Sequence, residues 1–545
     1  MDRRTILALL ISFLLVQGYF FFFVKAPVPP PLDTSAPIET PASPASAASS
    51  PASAASSSPP AGYVEKTLPF EFCNVKAAVT TNGGALRDLT LPSWKADFKA
   101  TAVWTWAWHR INGTTTDSWH PYETEGGPAR LLTADSTMLA VGAGSADAVP
   151  ASFTVVDAKL DSIALKASAG GVEIGRSYTA RPDCHVDVVT TWTNPGTVAW
   201  SGDVFLEAYD VMDATTSRST LGARPIGMAE GSAVRWSSLP EEISPYAGPV
   251  QWFGIHDHYF GVFAVGGSLG NESLTFGPKV AGQALLHGVE WRAPVTVGAG
   301  QAIVVKQTVY VGPKEIEELA SVSPDLKNAI DLGYFGIFVR PLLWLLKFLH
   351  GYVGNWGLAI IALTLLVKSA LYPIQLKAFR SGQAMQDLQP KIKELQERYV
   401  DQPEELAKKQ MELWSTSGAS PVGGCLPMVA QIPVFISLYT MIGSAVEIHQ
   451  QPFFYLKDLS SIDPIGILPL LVVGAMALQQ RTMPTGNLDP AQQQVMKLMP
   501  LIFGVIMFSV PSGLVVYSLA NIVLSMLQQW WMKRVHTRVP APVPA

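Results

Sequence analysis

Two patterns of hydrophobic and polar residues divide the chain near residue 325. Over residues 63–325, short runs such as ASFTVVDAKL and HVDVVTTWTN alternate apolar with polar positions and are bounded by Gly, Pro, Asn and Asp. Alternation with a period of two between turn residues predicts β-strands, and its repetition over this length predicts a large β-sandwich domain. Beyond it, the apolar runs become long enough for membrane helices.

The N-terminal segment carries its own apolar run, which ends at Val24 and directly follows Arg3 and Arg4. A cleaved signal peptide is one interpretation. The run is long enough to span a bilayer, however, and no small-residue cleavage site follows it directly. Residues 1–25 are therefore predicted to be an uncleaved N-terminal transmembrane anchor with its N-terminus in the cytoplasm. The Pro/Ala/Ser-rich residues 26–62 cannot build a core and are predicted to be a linker.

The C-terminal region, residues 354–531, contains five apolar runs and is predicted to be a five-helix transmembrane bundle. The runs are Asn355–Gln375, Gly423–Gly443, Ile465–Gln480, Met496–Val510 and Ser512–Trp530. The third and fourth are shorter than the about 20 residues that an ordinary bilayer requires, which predicts local thinning of the membrane. Ahead of the bundle, residues 331–350 are predicted to form an amphipathic helix that lies in the membrane interface.

Basic residues determine the orientation predicted for the bundle. Seven Lys and Arg residues lie in residues 374–420, whereas residues 444–463 contain Lys457 alone. Because basic loops stay on the cytoplasmic side, residues 26–330 are predicted to be periplasmic and the tail, residues 532–545, cytoplasmic.

The cytoplasmic segment 374–420 has an amphipathic pattern of its own. Apolar residues step by three and four along two stretches separated by VDQP: Met385, Leu388, Ile392, Leu395 and Tyr399, then Ala407, Met411 and Trp414. This pattern predicts an antiparallel helical hairpin. A solvated linker helix is the alternative.

The composition is typical of a membrane protein with substantial soluble parts. Of the 545 residues, 48% are hydrophobic and 15% are charged, against about 25% charged in an average soluble domain; the mean hydropathy is +0.24. The net charge of −5 does not support direct binding of nucleic acid, which typically requires a basic patch. Catalytic, phosphate-binding and dinucleotide-binding motifs are absent from the sequence, so neither an enzyme nor a cofactor is predicted.

Cysteines and one His pair are further candidates for chemistry. Cys73, Cys184 and Cys425 form no Cys-x-x-Cys motif, and a disulfide between Cys73 and Cys184 is one option if both lie in the exported domain. In GIHDHYF, His256 and His258 alternate as on a strand and would share one face, as a metal site requires. An ordinary surface or core pair is the alternative, because the sequence offers no further ligand nearby.

A lysine inside an apolar run is the sharpest feature of the membrane region. A charge at the bilayer centre costs about 2.5–3.5 kcal/mol on insertion scales, so Lys368 either extends to the interface or has a function within the membrane. Thr364 lies one turn before it, Gln431 lies in the second run, and Tyr517 and Asn521 share a face of the last run. Polar residues on three runs predict a hydrated cavity between helices.

Several motifs of the membrane region resemble those of YidC-type membrane protein insertases. They are GNWGLAIIALTLLVKSALYPIQ, SPVGGCLPMVAQIPVFISLY, DPAQQQVMKLMP and VPSGLVVYSLANIVLSMLQQ. The anchor and the large β domain resemble the Gram-negative form of the family. This resemblance implies a multi-pass protein of the bacterial inner membrane, with a hydrophilic groove that opens to the cytoplasm and the bilayer and is closed to the periplasm. Lys368 takes the position at which the family usually has an arginine.

The resemblance also implies partners and a mechanism. Nascent membrane proteins on the ribosome would dock at the hairpin 374–420, because the family's basic C-terminal extension is mostly missing here. Lys368 would attract a hydrophilic segment of the substrate, and the other polar groove residues would replace part of its hydration. Cooperation with the Sec translocon is implied as well. The predicted function is a non-enzymatic membrane protein insertase and chaperone; a small-molecule or ion transporter is the alternative, and a carbohydrate-active β domain is a third possibility.

Overall fold

The computed structural model describes residues 63–95, 128–132, 136–145, 148–211, 224–229, 231–235, 246–281, 284–333, 335–399, 402–417, 426–482 and 490–536. The predicted anchor and linker lie outside these residues. The β-strands are β1 (Thr67–Phe72), β2 (Val75–Thr80), β3 (Leu86–Lys95), β4 (Pro128–Arg130), β5 (Thr137–Gly144), β6 (Thr154–Ala158), β7 (Ser162–Ala169), β8 (Val172–Ala180), β9 (Val186–Thr193), β10 (Trp200–Val211), β11 (Arg224–Ala229), β12 (Ser232–Arg235), β13 (Tyr246–Ala247), β14 (Val250–His256), β15 (Phe260–Val265), β16 (Ser273–Ala281), β17 (Ala284–Val297) and β18 (Ala302–Pro313).

The described strands form two nine-stranded antiparallel sheets. One has the order β1-β2-β3-β5-β10-β17-β16-β13, with β4 paired to β3, and the other has the order β12-β11-β14-β15-β18-β9-β8-β7-β6. Each sheet buries one face because side chains alternate along a strand. The pattern is clearest along β9, where every second residue is buried.

The predicted β-sandwich is confirmed by the packing of these two sheets. Phe70 of β1 and Tyr178 of β8, which belong to different sheets, bring their ring centroids within 6.1 Å. Trp192 of β9 reaches across the core and donates its indole N–H to the Gly142 carbonyl of β5 at 3.3 Å. All three of these aromatic side chains are fully buried.

A disulfide bond ties the two sheets together at their turns. Cys73 lies between β1 and β2, and Cys184 lies between β8 and β9. Their Cα atoms are 5.5 Å apart although the residues are 111 positions apart in sequence. The pairing that the sequence left open is therefore present.

The prediction that His256 and His258 share a strand face is wrong. β14 ends at His256 and β15 begins at Phe260, so Asp257 and His258 lie in the turn between them. The Asp257 carboxylate accepts hydrogen bonds from the backbone N–H groups of Tyr259 at 2.7 Å and Phe260 at 2.6 Å. An aspartate that bonds the backbone ahead of it favours a turn, and this overrides the period-two pattern.

Helices follow the β domain. They are α1 (Ile316–Val322), α2 (Gly336–Val353), α3 (Trp356–Asp387), α4 (Gln389–Arg398), α5 (Pro403–Ser417), α6 (Leu426–Ser444), α7 (Ile467–Thr482), α8 (Pro490–Met507) and α9 (Ser512–His536), with short 3₁₀ turns at Leu326–Ala329 and Val446–Ile448.

The predicted amphipathic helix at residues 331–350 corresponds to α2. One face buries Val339 and Leu343. The opposite face exposes Trp344 and Phe348, whose rings stack with centroids 5.7 Å apart. The amphipathic pattern of α2 is therefore observed, and its location in the membrane interface stays a prediction.

The helix α3 is longer than the apolar run that predicted it. It continues through Pro373 to Asp387, so that the apolar helix extends directly into the hairpin segment. Ile392 of α4 then packs against Leu413 and Trp414 of α5, as a hairpin requires. Met411 is 66% exposed, so the predicted apolar stripe is wrong at this position.

One helical segment among the described residues has the length and hydropathy to cross a bilayer by itself. It is Trp356–Ser381 in α3, with 26 residues and a mean hydropathy of 1.9. Shorter apolar segments are Gln431–Ser444, Ile467–Arg481 and Lys497–Met507. The helix α9 packs against α3, α6 and α7, and it thereby forms one side of the candidate site.

Candidate functional site

Lys368 lies in α3 with 7% of its surface exposed, and its ammonium contacts α9. The Nζ donates to Ser525 Oγ at 2.6 Å, and Ser525 donates in turn to the Asn521 carbonyl at 2.7 Å. Among the described residues, no carboxylate pairs with this ammonium. Since an ammonium has three donors, it can bind a further acceptor beyond Ser525.

A cavity of about 540 Å³ opens beside Lys368 between α3 and α9. Its walls are mostly aliphatic and aromatic, with few polar groups: Leu365, Lys368, Ser369, Tyr372, Leu524, Leu527, Gln528, Trp530 and Trp531. The Arg534 guanidinium lies 3.8 Å from the centre of the Trp530 ring. Apolar walls with a few placed polar groups are typical of ligand-binding cavities.

Gln431 and Tyr517 meet between α6 and α9. The Gln431 amide donates to the Tyr517 hydroxyl at 2.5 Å, and Tyr517 is 2% exposed. The Phe435 ring, one turn along α6, lies 6.3 Å from the Tyr517 ring. The sequence predicted both polar residues, and the structure adds that they are direct partners.

Thr364 and Asn521 behave differently from each other. The Thr364 hydroxyl is buried and donates to the carbonyl of Ile360 in its own helix at 2.7 Å. The Asn521 side-chain oxygen is also buried, but no described group donates a hydrogen bond to it. The structure therefore brings Lys368 to the Asn521 backbone through Ser525, pairs Gln431 with Tyr517, and leaves the Thr364 hydroxyl donating within α3.

Ser525 and Gln528 are the site residues that sequence reasoning missed. Tyr517, Asn521 and Ser525 follow one another at intervals of four residues, so they lie along one face of α9. The same step that linked Tyr517 to Asn521 would have reached Ser525. Gln528, three residues further, lines the cavity itself.

Two family models match the chain. The model described as the YidC periplasmic domain matches residues 132–345, and the model described as the 60Kd inner membrane protein matches residues 348–539. The membrane protein insertase YidC of Geobacter metallireducens is 30% identical over 548 residues, which cover 98% of each chain. The YidC insertase of Bordetella avium is 34% identical over 392 residues, 70% of this chain and 69% of the relative.

Solved structures also resemble the chain. A crystal structure titled as an active YidC insertase with its first transmembrane domain resolved covers 86% of this chain and 93% of its own, at 16% identity and a TM-score of 0.35. A putative aldose 1-epimerase from Escherichia coli K12 covers 46% of this chain and 99% of its own, at 11% identity and a TM-score of 0.27.

The relatives establish the function in outline. They are named as insertases, so the predicted insertase function is confirmed, and the transporter alternative has no support. Because the similarity to the Geobacter protein extends over nearly the full length of both chains, the chain belongs to the YidC family of membrane protein insertases.

Proposed function

We propose that the chain inserts its substrates through a hydrophilic groove lined by α3, α6 and α9, with Lys368 as the cation that receives acidic segments of nascent membrane proteins. The observation that carries this proposal is a buried ammonium with a hydroxyl partner. It lies beside a cavity of about 540 Å³ between α3 and α9, and among the five predicted groove residues Lys368 is the one that lines this cavity. A buried cation is unfavourable by itself, and an acidic group from a substrate would pair with it.

The remaining groove residues would replace hydration that the substrate loses. The buried Asn521 side-chain oxygen can accept a hydrogen bond, and the Tyr517 hydroxyl can donate one. Thr364 completes the predicted set, although its hydroxyl proton is already used within α3. Transfer of the substrate's apolar helix into lipid then drives insertion, at about 0.8 kcal/mol per buried CH₂. This drive requires no cofactor or nucleotide.

The short helices of the bundle support the proposal that a hydrophilic substrate segment meets a lower free-energy barrier when it crosses the membrane here. The helix α7 has 16 residues, and at 1.5 Å per residue it is about 24 Å long, less than the about 30 Å of an ordinary hydrocarbon core. A bilayer thinned around it would shorten the path of a hydrophilic segment.

The proposed topology is a multi-pass one, with five spans formed by α3, α6, α7, α8 and α9. Residues 26–330 would be periplasmic and both termini cytoplasmic, after an anchor at residues 1–25. The charge asymmetry of the loops supports this orientation. The Cys73–Cys184 disulfide supports it too, because disulfides persist in oxidising compartments such as the periplasm.

The hairpin formed by α4 and α5 is the proposed docking element for a ribosome with its nascent chain. Its exposed basic side chains include Lys391, Lys393 and Lys408, which suit a polyanionic surface. Cooperation with the Sec translocon and a chaperone role in folding belong to the same proposal. Charge reversal at these three lysines tests the docking, with ribosome co-sedimentation as the measurement and an expected loss of binding.

The central test is insertion by purified protein in liposomes, with a small membrane protein bearing an acidic translocated tail as substrate. Wild type and Lys368→Arg should insert it, whereas Lys368→Ala and Lys368→Glu should lose at least tenfold in rate. Lys377→Ala is the matched control, since Lys377 lies exposed on the same helix. Equal rates for all four proteins would show that the charge of Lys368 is dispensable and would overturn its proposed role.

A further inference from the structure

The turn between β14 and β15 contacts the end of the helical bundle. The Lys314 Nζ donates to the Asp257 carbonyl at 2.7 Å and lies 3.1 Å from His256 Nδ1. These contacts stabilise the turn together with the hydrogen bonds that the Asp257 carboxylate accepts. The ring of His258 forms a hydrogen bond with the Gly443 carbonyl, in the last turn of α6. The GIHDHYF motif is therefore a contact between the β domain and the bundle.

The main partner of this turn is the connecting loop, residues 445–466, which joins α6 to α7. His449 of the loop is 2% exposed, and its ring stacks on Tyr259 with centroids 4.1 Å apart and planes 23° apart. Trp94 lies near-parallel to it at 6.2 Å, and Phe260 meets its edge at 6.0 Å. Trp94, Tyr259 and Phe260 form an aromatic socket on the β domain.

Hydrogen bonds hold His449 in one orientation. The Ser460 hydroxyl donates to the Asp458 carboxylate at 2.7 Å, so it can accept a hydrogen bond from His449 Nδ1, which is 3.1 Å away. Asp458 also accepts the backbone N–H groups of Gln450 at 2.9 Å and Ser460 at 2.8 Å. The residue that enters the socket is therefore bonded to the fold of the loop itself.

The same loop covers one end of the bundle. Phe453 lies against Gly357 in the first turn of α3, so closely that a Cβ at Gly357 would be 2.1 Å from the ring. At the start of α9, the Ser512 backbone N–H donates to the Ser461 carbonyl at 2.7 Å, and that of Gly513 donates to the Leu459 carbonyl at 2.8 Å.

The connecting loop also bonds to the start of α7. The Asp463 carboxylate accepts the backbone N–H groups of Gly466 at 3.0 Å and Leu468 at 2.9 Å, and the Tyr455 hydroxyl at 2.6 Å. Contacts with the first turns of α3, α7 and α9 place the loop across the end of the bundle that faces the β domain.

Lys347 of α2 holds the connecting loop from a second side. Its Nζ lies 3.2 Å from Glu447 in the loop, 2.9 Å from Glu317 of α1 and 3.7 Å from Glu315. Burial alone lowers the pKa of Lys347, but the hydrogen bonds and charges of Glu317 and Glu447 outweigh it and raise the pKa. The ammonium therefore stays charged at neutral pH.

We infer that the β domain keeps the connecting loop closed over this end of the bundle, and that His449 in the aromatic socket is the contact through which it does so. The inference rests on the proposed groove, which it completes: a groove that accepts polar segments has to be sealed at its far end. The β domain then has a mechanical role in the insertase.

Hydrogen–deuterium exchange of the full-length protein in lipid nanodiscs, without substrate, tests this inference. His449→Ala should raise exchange at least tenfold at the amides of Gln450 and Ser460 and at those of Ser512 and Gly513. Phe454→Ala is the matched control, because Phe454 lies in the same loop and is 88% exposed; it should leave these amides at the wild-type rate.

Tyr259→Ala removes the same contact from the side of the β domain and should give the same exchange pattern. In the double variant with His449→Ala, these amides should exchange no faster than in either single variant. Unchanged loop amides in both single variants would overturn the inference, as would an increase confined to the β domain. Insertion by wild type and the Lys368 variants is measured separately, so a failure of the groove proposal is distinguishable from a failure of this one.

Discussion

Removal of the Cys73–Cys184 disulfide should destabilise the β domain strongly. The bond connects the β1–β2 turn of one sheet to the β8–β9 turn of the other. Without it, this end of the sandwich keeps its side-chain packing and the hydrogen bond that the Glu71 backbone N–H donates to the Leu160 carbonyl at 2.7 Å. The domain is expected to fold, because its aromatic core does not depend on the bond.

The magnitude follows from the 111 residues between the two cysteines. In the chain-entropy model, a cross-link over a loop of this length removes unfolded-state entropy equivalent to about 5 kcal/mol at 25 °C. A single domain typically has about 5–15 kcal/mol of unfolding free energy in all. With a urea dependence of about 2–3 kcal/mol per molar, the loss corresponds to a midpoint shift of roughly 2 M.

Urea unfolding, followed by fluorescence of the buried tryptophans Trp192 and Trp291, measures this shift. The Cys73→Ser/Cys184→Ser double variant is compared with wild type under oxidising conditions, and with wild type under reducing conditions, which should match the variant. Cys425→Ser serves as the control for loss of a cysteine outside the bond. A midpoint shift no larger than that of the control would refute the entropic reasoning.

Three further predictions concern the bundle and the connecting loop. Tyr517→Phe removes the acceptor of the Gln431 amide and should cost about 1 kcal/mol of unfolding free energy, measured by detergent-titration unfolding; an unchanged midpoint would contradict the bond. Asp458→Asn should abolish a pH effect on the connecting loop. Burial raises the pKa of Asp458 above its ordinary 3.8, so the stability of the wild-type loop should rise as the pH falls from neutral through the folded-state pKa and should reach its full value below pH 3.8. Amide exchange rates of wild type and variant, measured across this pH range, would show the difference. Gly357→Ala should cost about 1–3 kcal/mol through overlap with Phe453, and a Phe453→Ala background should remove most of that cost in a thermal melt.

Element types were predictable wherever one periodicity persisted. The predicted start of the last span, Ser512, is the first residue of α9, and the run predicted at Ile465–Gln480 corresponds to α7, which begins at Ile467. Prediction from local sequence failed where a side chain changed the path of the backbone. Asp257 does this: its carboxylate bonds the backbone N–H groups ahead of it and makes a turn where alternation predicted a strand. Prediction from local sequence also underestimated the length of α3, because the predicted run ended at Gln375 and the helix continues to Asp387.

The candidate site was predictable in its residue types and only partly in its pairings. A lysine within an apolar membrane run is energetically unfavourable whatever the fold, so Lys368 could be identified as a site residue from the sequence. The pairing of Lys368 with Ser525 depends on how α3 packs against α9, and residue spacing within one helix cannot predict that packing. The same limit applies to His449, since the three aromatic residues around it come from distant parts of the chain.

The contact between the β domain and the bundle also sets an order of events during synthesis. His258 and the Gly443 carbonyl it bonds are 185 residues apart, so at about 5–20 residues per second the turn is made roughly 10–40 s before its partner. A β-sandwich typically folds within milliseconds to seconds. The aromatic socket is therefore complete well before the loop that fills it is made. The connecting loop therefore docks onto a socket that is already folded, and it can bond to α9 only after Ser512 and Gly513 have been made.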